Sequence, residues 1–236
     1  MTDSAVNHSL ACVDTSKVNG HTPNMTLASK VTSIRLVIAP IFFIIYLLPH
    51  FFPSVFAVTP PPGADSLKFV GAPWTVPVLW ALFLSSEITD TLDGIIARKR
   101  GEVSDFGKLF DPFADTLTQL TYFFCFTLDG ILSPILFLAV IYREFSILMV
   151  RNLMLKKGVA LGARKGGKIK TTIYMLAAGL ALLVSSMVRL GIGGAVCGVF
   201  IIAAEGVFIV SVIIAVLSFL DYVSVYNNTP GITEKK

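Results

Sequence analysis

Asp90-Thr91-Leu92-Asp93-Gly94-Ile95-Ile96-Ala97-Arg98, followed after eight residues by Gly107 and then by Asp111 and Asp115, is the stretch on which the fold of this chain turns. On helices, residues 90, 93, 94, 97 and 98 share one face, and so do 107, 111 and 115. Two apolar segments carry these faces, joined near Lys99 to Phe106, so the expected unit is a helical hairpin. Antiparallel packing would bring four carboxylates to similar levels. Asp90 lies about 12 Å along its helix from Arg98, which sinks it below the headgroups without reaching the membrane centre. Carboxylates gathered there repel one another and lose hydration. A divalent metal is the simplest way to hold them, and metal held by carboxylates often means phosphate chemistry.

Composition sets the surroundings. The chain has 236 residues, 54% of them hydrophobic and 14% charged, with a net charge of +4 and a mean hydropathy of +0.77. A soluble domain of this length is excluded, because several apolar runs approach the roughly 20 residues needed to cross a bilayer. Spans are expected at about 31–48, 74–98, 105–128, 132–155, 169–189 and 195–220. The expected fold is an all-α integral membrane bundle of six transmembrane helices. Residues 1–26 read as a polar, poorly ordered tail, 27–220 as the membrane domain and 221–236 as a second polar tail.

Topology follows from charge. Arg98, Lys99, Arg100 and Lys108 flank one turn, and Arg151, Lys156, Lys157, Arg164, Lys165, Lys168 and Lys170 flank another. Lys17, Lys30 and Arg35 lie at or before the first span, and the opposite loops offer Lys68 and Arg189. The positive-inside rule places both termini, both basic loops and the aspartates on the cytoplasmic side. Clustered Lys and Arg between apolar runs suit anionic lipid headgroups, and no nucleic-acid partner is expected. Cys12, Cys125 and Cys197 show neither metal-ligand spacing nor a disulfide framework.

A lone intramembrane Asp serves equally well as a hydrogen-bonding residue or as part of a proton path. The complete set in one phase argues otherwise. The string Asp90-x2-Asp93-Gly94-x2-Ala97-Arg98-x8-Gly107-x3-Asp111-x3-Asp115 resembles the full signature of the CDP-alcohol phosphotransferase family, which also has six transmembrane helices. The resemblance implies two Mg²⁺ or Mn²⁺ ions held by Asp90, Asp93, Asp111 and Asp115, with Asp115 as general base. It implies that Gly94, Arg98 and Ser104 contact the cytidine nucleotide. Thr32, Ala97 and Gly107 complete the set expected to hold the CDP-lipid. A homodimer in the bacterial cytoplasmic membrane is implied as well.

The acceptor is read from a second basic set. Arg143, Arg151 and Lys168 suit an anion pocket, since Arg143 lies within an apolar run and needs an anion or Glu144 beside it. Lys156, Lys157, Arg164 and Lys165 read as a headgroup and topology belt. Arg143-Glu144-Phe145-Ser146, Arg151 and Gly167-Lys168-Ile169-Lys170-Thr171-Thr172 resemble the branch of the family that makes phosphatidylglycerophosphate from CDP-diacylglycerol and sn-glycerol 3-phosphate, releasing CMP. Arg143, Arg151 and Lys168 would then bind the acceptor phosphate. Ala28-Ser29 departs from the Pro-Asn usual in that branch, whereas Thr32 and Arg35 fit. The resemblance covers about residues 28–180 and leaves the sixth span generic.

Three alternatives remain open at this level. A sister enzyme would use inositol phosphate, serine or another alcohol. A cation transporter would place carboxylates near the midplane and pair broken helices. An assembly factor would use the hairpin structurally.

Overall fold

The computed structural model describes the backbone of residues 27–52, 73–100, 105–156 and 165–228, and the side chains of 32–49, 51–52, 73–89, 111–154 and 169–227. Six helices make up this part: α1 (Leu27–Phe51), α2 (Thr75–Arg100), α3 (Asp105–Leu128), α4 (Pro134–Lys156), α5 (Lys165–Arg189) and α6 (Ala195–Asn228). No strand occurs among the described residues. Each expected span corresponds to one helix. The sixth differs at its end, because α6 continues as helix to Asn228 rather than stopping near residue 220.

Turn chemistry explains two of the boundaries. Gly130 takes a φ of 80° and Gly191 a φ of 76°, a conformation that glycine adopts without a Cβ clash. At the first, Ile131 N–H donates to the Phe126 carbonyl (2.9 Å) and Gly130 N–H to the Thr127 carbonyl (3.1 Å). At the second, Ile192 N–H donates to the Met187 carbonyl (2.8 Å) and Gly191 N–H to the Val188 carbonyl (3.0 Å). Both are Schellman ends, which satisfy helix carbonyls that would otherwise lack partners.

Among the described residues, three helices contain segments long and apolar enough to cross a membrane: Thr32–Pro49, Ile169–Arg189 and Ala195–Asn227, with mean hydropathies of 1.9, 1.8 and 2.8. Among the described side chains of α2, an apolar run covers Thr75–Thr89. α2 carries Asp90 and Asp93, α3 Asp111 and Asp115, and α4 Arg143, Glu144 and Arg151. Hydroxyls in these segments bond back along their own helices. Thr118, Thr121 and Thr127 donate to the carbonyls of Ala114, Leu117 and Phe123, which satisfies polar groups where water is scarce.

α3 is the hub. It packs on α1, α4 and α5, while α1 also lies along α2, and α6 packs on α4 and α5. Aromatic rings fill the middle. Phe42 meets Tyr122 edge-on at 4.6 Å between centroids, and Phe123 meets Tyr174 at 5.2 Å and Phe208 at 4.9 Å. Asp111 and Asp129 bracket this core at opposite ends of α3, about 27 Å apart at helical rise.

The Asp129 end holds a buried lock built on Arg189, which is 1% exposed. Its Nε donates to Ser185 Oγ, one Nη to Thr75 Oγ1 and the other to the Tyr46 carbonyl, at 3.0, 3.0 and 3.2 Å. Its guanidinium carbon sits 4.4 Å from the centroid of the Tyr46 ring. The Tyr46 hydroxyl in turn donates to Asp129. Burial pushes the Asp129 carboxyl up to about 7, against the lowering pull of Arg189 and of the Tyr46 bond. One side chain thus joins α1, α2 and α5 beside the α3–α4 turn. Arg189→Met leaves these acceptors buried without their cation. It is expected to cost about 3 kcal/mol, read as a lower Tm in detergent; an unchanged Tm would show that the lock is dispensable.

Candidate active site

The described half of the acidic site is on α3. Asp111 and Asp115 are one turn apart, with Gln119 one turn further on the same face. Gln119 Nε2 donates to Asp115 Oδ1 at 2.8 Å. From α1, Thr32 Oγ1 donates to Asp111 Oδ1 at 2.7 Å, and an Nη of Arg35 lies 3.9 Å from Asp115 Oδ1. Thr32 and Arg35 are buried, three residues apart on one face of α1. The first helix therefore braces both carboxylates.

Asp90, Asp93, Gly94, Ala97 and Arg98 fall in the C-terminal half of α2, and Gly107 in the first turn of α3. Their side chains lie outside the described set, as does that of Lys168 on α5, and Ser104 lies outside the described residues altogether. Two of the four aspartates are thus described as side chains, and no group of three potential metal ligands is present among the described residues. The donors that are described fit a hard divalent cation. They are carboxylate oxygens, each carboxylate fixed by a hydrogen bond from a neighbour, as ligating carboxylates commonly are.

Next to Asp115 opens a cavity of about 160 Å³, lined by Pro112, Asp115 and Thr116 of α3, Arg143, Glu144 and Arg151 of α4, Lys170 and Thr171 of α5 and Tyr222 of α6, among others. Three cations and two carboxylates thus meet in one small space. Glu144 is the centre of its inner wall. It accepts from Arg143 at 2.7 Å and Lys170 at 2.8 Å, and the Thr116 hydroxyl lies 3.4 Å away. Arg143 Nε donates to the Ala215 carbonyl on α6 at 3.0 Å. Lys170 Nζ also sits 4.5 Å over the Tyr174 ring. Arg143, Glu144 and Lys170 are all buried, so mutual pairing is what makes their burial tolerable.

Arg151 differs. An Nη of Arg151 reaches the Tyr222 hydroxyl at 3.4 Å, but its Nε is buried with no hydrogen-bond partner among the described residues. A guanidinium that lines a cavity and makes only one long hydrogen bond among the described residues suits an anion that enters the cavity.

Asp111, Asp115 and Thr32 come together as one group, and Arg143 and Arg151 share a cavity that Asp115 also lines. Sequence reasoning does not assign Arg35, Thr116, Lys170 or Tyr222 to the site. Lys170 is visible as the second basic residue opening the fifth span. For Tyr222 the available signal is its place on the apolar stripe of the sixth.

A family profile described as CDP-alcohol phosphatidyltransferase matches residues 25–217. The chain is 34% identical over 203 residues to a CDP-diacylglycerol–glycerol-3-phosphate 3-phosphatidyltransferase of Treponema pallidum, covering 86% of this chain and 89% of that protein. It is 28% identical to a probable phosphatidylglycerophosphate synthase of Mycobacterium tuberculosis, over 89% and 86% of the two chains. A Bacillus subtilis protein with the same name as the Treponema relative is 29% identical, over 66% and 76%.

Proposed function

The chain belongs to the CDP-alcohol phosphatidyltransferase family, and on that premise we propose that it transfers the phosphatidyl group of CDP-diacylglycerol to sn-glycerol 3-phosphate, giving phosphatidylglycerophosphate and CMP. The observation that carries the acceptor assignment is the cavity in which Arg143, Arg151 and Lys170 meet beside Asp115, with the Arg151 Nε lacking a hydrogen-bond partner among the described residues. The names of the Treponema pallidum and Bacillus subtilis relatives support the same donor and acceptor.

In this reading, Asp90, Asp93, Asp111 and Asp115 hold two divalent ions, Mg²⁺ or Mn²⁺. When bound, the ions neutralise the donor diphosphate and the departing phosphate of CMP. Gly94, Ala97, Arg98, Ser104, Gly107 and Thr32 hold the CDP-lipid. Arg143, Arg151 and Lys168 bind the acceptor phosphate. A hydroxyl oxygen of glycerol 3-phosphate bonds to the phosphatidyl phosphorus, the bond from that phosphorus to the CMP oxygen breaks, and Asp115 takes the hydroxyl proton. Support for Asp115 in that role comes from its position, since it belongs to the acidic face and also lines the acceptor cavity. Arg35 and Gln119 steady its carboxylate.

The six helices span the membrane with both termini and the active site on the cytoplasmic side, and the enzyme works as a homodimer in the bacterial cytoplasmic membrane. The charge distribution supports this orientation.

The test is a purified preparation given Mg²⁺, CDP-diacylglycerol and glycerol 3-phosphate. CMP release that requires glycerol 3-phosphate is the expected result. Release with serine or inositol phosphate but not with glycerol 3-phosphate would move the chain to a sister branch.

A further inference from the structure

The inner face of α6 repeats through Phe208, Ser211, Val212, Ala215, Ser218 and Tyr222, all buried. The spacing of three and four residues marks one continuous helical stripe. The family match ends at residue 217, so Tyr222 stands five residues beyond it, in what composition alone reads as the start of a polar tail. Yet Tyr222 is 1% exposed while Asp221 beside it is exposed. A phenol buried this fully near a helix end has something specific to cover.

What it covers is Arg151. The guanidinium carbon of Arg151 lies 5.6 Å from the centroid of the Tyr222 ring, and an Nη donates to the phenolic oxygen. One register relates α4 to α6. Arg143 bonds the Ala215 carbonyl, and Arg151, eight residues on, meets Tyr222, seven residues on. The two helices thus run in the same direction, and α6 supplies one anchor for each arginine. Without the ring, Arg151 has a long, flexible side chain and a cavity in which to move.

Resting on the reading of this cavity as the acceptor site, we propose that Tyr222 is a positioning residue for the phosphomonoester of the acceptor. It holds the Arg151 guanidinium at the cavity lining, ready to meet the incoming dianion. The last turns of α6 therefore belong to the acceptor site of this chain.

The test uses the full-length protein and steady-state kinetics in both substrates. Tyr222→Leu removes ring and hydroxyl and is expected to raise KM for glycerol 3-phosphate about tenfold. Its kcat and its KM for CDP-diacylglycerol should stay within about twofold of wild type. Tyr222→Phe keeps the ring and should raise the acceptor KM about threefold, as suits one long hydrogen bond to a charged group. Adding Tyr222→Leu to Arg151→Ala should change the acceptor KM no further, since the tyrosine acts through the arginine.

An acceptor KM unchanged in Tyr222→Leu, a donor KM raised as much as the acceptor KM, or full additivity with Arg151→Ala would each overturn the proposal. Should Tyr222→Leu not fold, Tyr222→Phe decides, and an unmoved acceptor KM there counts against it. A wild-type protein that releases no CMP with glycerol 3-phosphate defeats the proposed function itself. A wild-type protein that is active, with indifferent Tyr222 variants, defeats this inference alone.

Discussion

Asp115→Asn is expected to lower the rate of CMP release about a thousandfold, the middle of the range for loss of a positioned general base, while CDP-diacylglycerol still binds. Asparagine preserves the volume of the side chain, and its amide oxygen can still accept from Gln119, which donates to Asp115 at 2.8 Å. The negative charge and the ability to take a proton at neutral pH are lost. Asp115 is the described carboxylate that both stands on the acidic face of α3 and lines the acceptor cavity, so donor binding and proton removal should separate there. Single-turnover CMP release, measured beside equilibrium binding of CDP-diacylglycerol, checks this. A variant within tenfold of wild-type turnover would remove Asp115 from the chemistry. A parallel loss of donor affinity would assign it to binding.

The second large effect is expected at Arg151. Arg151→Ala should raise KM for glycerol 3-phosphate about a hundredfold, the cost of losing charge-assisted hydrogen bonds to a buried phosphate. Its melting temperature should stay close to wild type, because among the described residues it is held by one long bond and a ring contact with Tyr222. Arg143→Ala should raise the same KM but also lower Tm. Arg143 ties α4 to the Ala215 carbonyl of α6 and shares Glu144 with Lys170, and removing one partner from a buried ionic group is strongly destabilising. Equal effects of the two substitutions on KM and Tm would contradict this division of labour.

Local patterns make much of the fold and the acidic site legible from the residues alone. The phase of Asp111 and Asp115 follows from helix geometry, and the structure places both on one face braced by Thr32 and Arg35. Glycine signals mark the ends at Gly130 and Gly191, and both glycines take the left-handed conformation. What local patterns miss is set by contacts between residues far apart in sequence. Arg189 reads in the sequence as a charge at the end of a span, yet its partners Thr75 and Tyr46 lie 114 and 143 residues away. Glu144 is visible as a neighbour of Arg143, but the sharing of its carboxylate with Lys170 depends on how α4 and α5 are brought together. Asp221, Asn227 and Asn228 give the last stretch of α6 a polar cast, which suggests an end near residue 220. The continuing stripe through Ser218 to Tyr222 carries the opposite message, and burial decides in its favour.

The most direct measurement is the number of Mn²⁺ ions bound per chain by the purified protein, counted by electron paramagnetic resonance in the presence of CDP-diacylglycerol. Two ions per chain are predicted, falling below two in both Asp90→Asn and Asp111→Asn, because each helix of the acidic pair contributes ligands. No specific binding, or two ions retained in both variants, would contradict a metal centre built from these aspartates.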